Sequence, residues 1–165
     1  NNDEGVRLVT AAGRRNSPQC VDSKIHHCNL INNILPKIQA NLYGAADALM
    51  LDPEGYVSET NATNVFMVKG GKVFTPHADY CLPGVTRGNV LDLCKELGIE
   101  AIERRISLAE FHAADEAFTT GTMGGITPIV ELDGRVIGSR GPITKRIQEA
   151  YQKLTETLGY RLPDF

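Results

Sequence analysis

Apolar residues recur along this chain in two rhythms, a period near two in short runs and a helical period in longer ones. From Asn29 to Tyr43, Leu30, Ile31, Ile34, Leu35, Ile38 and Leu42 fall at helical spacing. They predict an amphipathic helix that stops at Gly44 and carries Pro36 as a kink or within its early turns. Thr86 to Gly98 predicts a second helix, with Val90, Leu91, Leu93, Cys94 and Leu97 as its inner face. Ser107-Leu-Ala-Glu110 reads as a capping box opening a short third helix, and a last one runs from about Pro142 to Leu158. Strand-like runs occupy Gly5 to Arg14, Ala48 to Leu51, Val57 to Ser58, Val65 to Val68, Val73 to Thr75, Ile99 to Ile106 and Glu116 to Thr120. Ile126 to Leu132 and Arg135 to Ile137 complete the set. The turns Asp52-Pro-Glu-Gly55, Lys69-Gly-Gly-Lys72 and Asp133-Gly134 join neighbouring strands as hairpins. Strands and helices are intermixed, without an internal repeat or low-complexity linker. The expected class is mixed α/β (α+β), with residues 1–165 as one domain.

Composition narrows the function classes. With 42% hydrophobic and 22% charged residues, 165 residues can bury a core of ordinary globular size. A net charge of −3, with no Lys/Arg cluster, argues against nucleic acid as a partner. The apolar runs end well short of a membrane span, and NNDEGVRLVT has neither the charged nor the apolar region of a signal peptide. That polar, Met-less start reads as an interior point of a longer protein, so the compartment stays unknown. Cys20, Cys28, Cys81 and Cys94 form no CxxC pair and read as small buried hydrophobes in a reducing, intracellular compartment.

The candidate chemistry lies between Val57 and Val90. Glu59 is a lone acid at the end of a strand-like run, beside the polar turn Thr60-Asn-Ala-Thr63. Pro83-Gly84-Val85-Thr86-Arg87 opens a helix. If Thr86 is not simply its N-cap, the free N–H groups and the Thr86 hydroxyl can hold an anion. A carboxylate on one side and a helix N-terminus on the other suit a ligand cationic at one end and anionic at the other. Gly121-Thr-Met-Gly-Gly125 is a second small-residue loop after a strand. His26-His27 is not expected to bind metal, because adjacent histidines point apart and no third ligand is evident. Lys37 reads as a solvated helix residue.

In this order and spacing, GYVSETNATNVFMV, LPGVTRGNVLDL, ADEAFTTGTMGGITPI, VELDGRVIG and GPITKRIQEAY resemble the large C-terminal domain of the class IV (fold-type IV) pyridoxal-phosphate enzymes. The similarity runs from roughly Val21 to Tyr151. It implies a pseudo-barrel of mostly hairpin-connected strands flanked by helices, with pyridoxal 5'-phosphate as cofactor and a homodimer as assembly. It also implies that the family's small N-terminal domain lies outside this chain. Carried over, the resemblance assigns Glu59 to the pyridine nitrogen, and Val85, Thr86 and Thr122 to the phosphate. Gly121 to Met123 would border the substrate's carboxylate. The implied reaction moves an amino group between an amino acid, branched-chain for preference, and a 2-oxo acid. Tyrosine often follows the first-helix Asn in branched-chain enzymes, but Leu30 stands here, which leaves D-amino-acid aminotransferase and aminodeoxychorismate lyase as alternatives.

The resemblance also requires a lysine that holds the cofactor covalently, a few residues before an Asn-aromatic or Asn-Leu pair. Here the pair is Asn29-Leu30, and Lys24 is the only lysine available, slightly farther upstream than usual. The favoured reading is a longer loop from which Lys24 reaches the cofactor. At the tightest family spacing His26 takes that place, and histidine cannot make the bond. A non-catalytic binding or assembly module is the competing class of function.

Overall fold

The structure is a computed structural model describing residues 3–158. In chain order it contains β1 (Val6–Arg14), α1 (Ile31–Leu42), β2 (Asp47–Leu51), β3 (Val57–Thr60), β4 (Asn64–Lys69), β5 (Lys72–Thr75) and α2 (Val85–Glu96). There follow β6 (Ala101–Glu103), α3 (Leu108–His112), β7 (Glu116–Gly121), β8 (Gly125–Leu132), β9 (Arg135–Val136) and α4 (Pro142–Thr157). All the strands belong to one sheet with the order β3-β2-β1-β8-β7-β4-β5-β6, and β9 pairs with β8. A further pairing of β3 with β4, through Glu59 and Asn64, brings the sheet round on itself. The result is the expected strand barrel flanked by helices. The hairpins form as read, but β1 runs parallel to both of its neighbours and β6 runs parallel to β5, so crossovers contribute as well.

Turn chemistry explains the hairpins. Gly70 and Gly71, and likewise Asp133 and Gly134, all have positive φ, as the two-residue turns that match strand twist require. At the β2–β3 turn the Asp52 carboxylate accepts from the N–H groups of Glu54 and Tyr56, both at 2.9 Å.

Apolar side chains fill both faces of the sheet. One cluster, including Leu49, Val65, Met67, Ile106, Phe111 and Leu132, fills one side. On the other, Phe66, Phe118, Val90, Cys94 and Ile147 join the sheet to α2 and α4, with Phe66 and Phe118 stacked at 5.0 Å. The capping box of α3 forms in both directions, between Ser107 and Glu110.

Several expectations need correcting. The stretch Ile99 to Ile106 is strand only at Ala101–Glu103. Cys81 and Cys94 are buried, but Cys20 and Cys28 are exposed, because both lie on the loop between β1 and α1. Lys37 is not merely solvated: its ammonium donates to the Ala46 carbonyl and pairs with Asp47 at 3.3 Å, tying α1 to the start of β2. The apolar stripe of α1 is the largest departure. Leu30, Ile31, Ile34, Leu35, Ile38 and Leu42 all face outward, while Pro36 and Ala40 are buried against the sheet. Small residues let the helix axis approach β1 and β2 closely, and the bulky stripe is left on the surface.

Candidate active site

The barrel closure fixes the position of Glu59. After it, the Thr60 hydroxyl accepts from the N–H groups of Ala62 (3.1 Å) and Thr63 (2.8 Å). The Asn61 side chain grips the Ala48 N–H and the Asp47 carboxylate. The polar turn is therefore a clamp, and it delivers the Glu59 carboxylate, only 5% exposed, to the floor of a cleft of about 700 Å³.

Three groups hold that carboxylate. Arg15 pairs with it at 2.9 Å, the Leu82 N–H donates at 3.3 Å, and the Asn64 amide donates at 3.4 Å. Burial pushes the Glu59 carboxyl up to about 7, against the pull of Arg15 and of the donated hydrogen bonds. Arg15 is itself buried. Its guanidinium donates to Asn32 (2.8 Å) and Asn33 (3.2 Å) on α1 and to the Tyr80 carbonyl (3.4 Å). Neither Arg15 nor its asparagines entered the expected site. The available signal was the run Asn32-Asn33, which falls with Pro36 and Ala40 outside the apolar stripe of α1.

The other end of the cleft is the start of α2. Helix α2 begins at Val85 with Gly84 as N-cap, so Thr86 is not the cap, and among the described residues no side chain caps this end. The first turn thus offers N–H donors and the positive end of the helix dipole to the cleft. Gly84 is needed for close approach: a Cβ there would lie 2.4 Å from Asn64 Oδ1. Helix α4 provides the contrast, because the Glu116 carboxylate accepts from the N–H groups of Ile143 (3.1 Å) and Thr144 (2.7 Å). A structural helix start is closed by protein; that of α2 is left to the cleft.

Lys24, Glu59, Val85, Thr86, Gly121, Thr122 and Met123 all line this one cleft. Thr86 is buried, whereas Val85 and Met123 are exposed at the rim. His26 lines the cleft beside Lys24, so both candidates for the lysine's place stand on its wall. An Asx turn shapes their loop, with Asp22 accepting from the Lys24 N–H at 3.0 Å. The Oγ1 of Thr120, also lining the cleft, is buried with no hydrogen-bond partner among the described residues. A second cavity of about 380 Å³ shares Glu59, His26, Ala62 and Leu82 with the cleft and extends to Leu30 and Ile34.

The cleft thus brings together a buried acid, a helix start with a hydroxyl and an amine on its wall. Residues 1–132 match the family described as Amino-transferase class IV, and the chain belongs to that family. It is 60% identical over 166 residues to branched-chain-amino-acid aminotransferase-like protein 1 of Arabidopsis thaliana, covering 99% of this chain and 30% of that protein. Among solved structures it is similar to the branched-chain aminotransferase of Thermoproteus uzoniensis with norvaline. There the TM-score is 0.89 at 39% identity, over 92% of this chain and 52% of that one. The branched-chain amino acid aminotransferase of Thermobaculum terrenum in its PLP form also matches, with a TM-score of 0.89 at 34% identity, over 92% and 51% of the two chains. The chain therefore spans about half the length of these structures and less of the plant relative.

Proposed function

We propose that this chain is the cofactor-binding domain of a pyridoxal-phosphate-dependent aminotransferase acting on branched-chain amino acids and 2-oxo acids. The observation that carries this reading is the single cleft joining Lys24, Glu59 and the uncapped start of α2. Its donor set fits the cofactor. A buried carboxyl with a pKa near 7 suits a ring nitrogen that can be protonated, and helix N–H groups with the Thr86 and Thr122 hydroxyls suit a phosphate. The names of the relatives above favour branched-chain substrates over D-amino acids or aminodeoxychorismate.

When bound, pyridoxal phosphate supplies an electron sink for the carbon that bears the amino group. Lys24 would hold the cofactor, and its Nζ would serve as the base that takes the proton from the substrate's Cα. Glu59 would meet the ring nitrogen, and Arg15 keeps its carboxylate oriented. Backbone N–H groups of the Gly121 to Met123 loop receive the substrate's carboxylate. The free cysteines agree with a reducing, intracellular compartment.

We further read the active form as a homodimer. The outward stripe of α1 is bulky, and Lys37, the one charged residue of that helix, is turned to Asp47. A neutral apolar face of this kind suits burial against a second copy.

Borohydride reduction of the protein with pyridoxal phosphate, followed by peptide mass mapping, tests the reading. A pyridoxyl group on Lys24 is expected, and Lys24→Ala is expected to abolish transamination. Label elsewhere, or full turnover in the variant, would remove Lys24 from the mechanism. If no label appears, the competing reading of a non-catalytic module gains.

A further inference from the structure

The first turn of α1 carries two asparagines in a row, Asn32 and Asn33, although asparagine is a weak helix former. Both serve Arg15. A guanidinium is planar, so fixing some of its nitrogens aims the rest. Arg15 Nη1 donates to the side-chain oxygens of Asn32 (2.8 Å) and Asn33 (3.2 Å), and Nε reaches the Tyr80 carbonyl at 3.4 Å. Held in this way, Nη2 meets Glu59 Oε1 at 2.9 Å.

The two asparagines differ in what their amide nitrogens do. Asn32 donates to the Arg14 carbonyl at 2.8 Å and secures the backbone beside Arg15. Asn33 donates to the Asn61 carbonyl at 2.9 Å, in the turn that clamps the end of β3 two residues past Glu59. One amide thus grips both the partner of Glu59 and the backbone that carries Glu59. Its oxygen meets a guanidinium and its nitrogen a carbonyl, and the flipped amide would satisfy neither. Asn33, Arg15 and Glu59 line the same cavity of about 380 Å³. No other charged group nearby does the work of Arg15. Lys37 is bound to Ala46 and Asp47, and burial pushes the Cys81 thiol up to about 12. Lys24, His26 and His27, on the loop before α1, make no hydrogen bond or ion pair to Glu59 among the described residues.

We propose that Asn33 is a positioning residue that, through Arg15 and Asn61, keeps the Glu59 carboxylate aimed at the ring nitrogen of the bound cofactor. This rests on the pyridoxal phosphate reading, and it adds a residue of α1 that touches neither cofactor nor substrate. A buried guanidinium that loses an acceptor turns toward whatever acceptor remains, so the loss of Asn33 reaches Glu59 through Arg15.

The test follows Glu59 in the ligand-free protein through the pH dependence of its carboxyl carbon resonance, in wild type, Asn33→Ala, Arg15→Met and the double variant. With Arg15 drawn away by the loss of Asn33, Glu59 is expected to titrate about one pH unit higher. That shift is expected to vanish where Arg15 is already Met, because Asn33 then has nothing to aim. Should Arg15→Met fail to fold, Arg15→Lys closes the same cycle, since one ammonium cannot span the asparagines, Tyr80 and Glu59 together. Spectrophotometric titration supplies the second readout. Asn33→Ala is expected to bind pyridoxal phosphate roughly tenfold more weakly than wild type. It is expected to match wild type for the 1-deaza analogue, which has C–H in place of the ring nitrogen. An unmoved Glu59 titration in Asn33→Ala, or a shift that persists without Arg15, would overturn the proposal alone. So would equal losses for the two compounds, which would make Asn33 a general support of the cleft. A wild type that binds neither compound would overturn the cofactor reading and take the ring-nitrogen role with it, whatever the Glu59 titration shows.

Discussion

Glu59 sets the pH behaviour at the residue scale. Its carboxyl is raised from 4.5 to about 7, chiefly by burial, so the folded state holds the proton more tightly than the unfolded chain does. For an acid shifted upward, the stabilising contribution is full below 4.5 and is lost as pH rises through 7. Glu59→Gln does not titrate. Relative to that variant, the ligand-free wild type is therefore expected to lose thermal stability between pH 4.5 and pH 7. Melting curves that run parallel over this window would show that Arg15 keeps the carboxylate ionised throughout. Glu59 stood out in the sequence as a lone acid beside a Thr-Asn-Ala-Thr turn, but its burial was not readable there, because an acid at a strand end is usually solvated and only the barrel closure covers this one. Arg15 was not, because it sits in a Gly/Arg/Asn/Ser/Pro stretch that reads as an ordinary surface turn. Its burial comes from asparagines on a helix that begins well downstream.

Elements were legible where a local rule fixes them. The Asp133-Gly134 hairpin, the Ser107 capping box and the extent of α4 depend on neighbours in sequence, and they came out as read. The orientation of α1 did not. Helical spacing says which residues share a face, whereas the side turned to the sheet depends on how closely the axis must approach. Pro36 and Ala40 decided that. The two capping styles carry a stability prediction as well. Glu116→Ala removes the acceptor for two N–H groups at the start of α4 and is expected to destabilise the fold by about 1–2 kcal/mol in denaturant titration. Gly141 serves that contact, since a Cβ there would fall 2.1 Å from the Glu116 carboxyl carbon. A change below a few tenths of a kcal/mol would mean that water caps the helix equally well.

For the whole molecule, the outward face of α1 is where the proposed homodimer can be tested. Leu35, 60% exposed, lies in the middle of the stripe. Leu35→Glu is expected to convert a dimer to monomer by light scattering while leaving the circular dichroism unchanged. Dimer in both proteins would send the interface elsewhere. The described helices include none long and apolar enough to cross a membrane.

The pairing that completes the barrel joins Glu59 to Asn64, and both residues lie in the cleft. The clasp of the fold and the proposed seat of its ligand are thus one place. A ligand that settled there would fasten the ring of strands, and loosening the ring would release it. A bound cofactor would then act as a rivet, and its departure would be the first step by which this barrel comes undone.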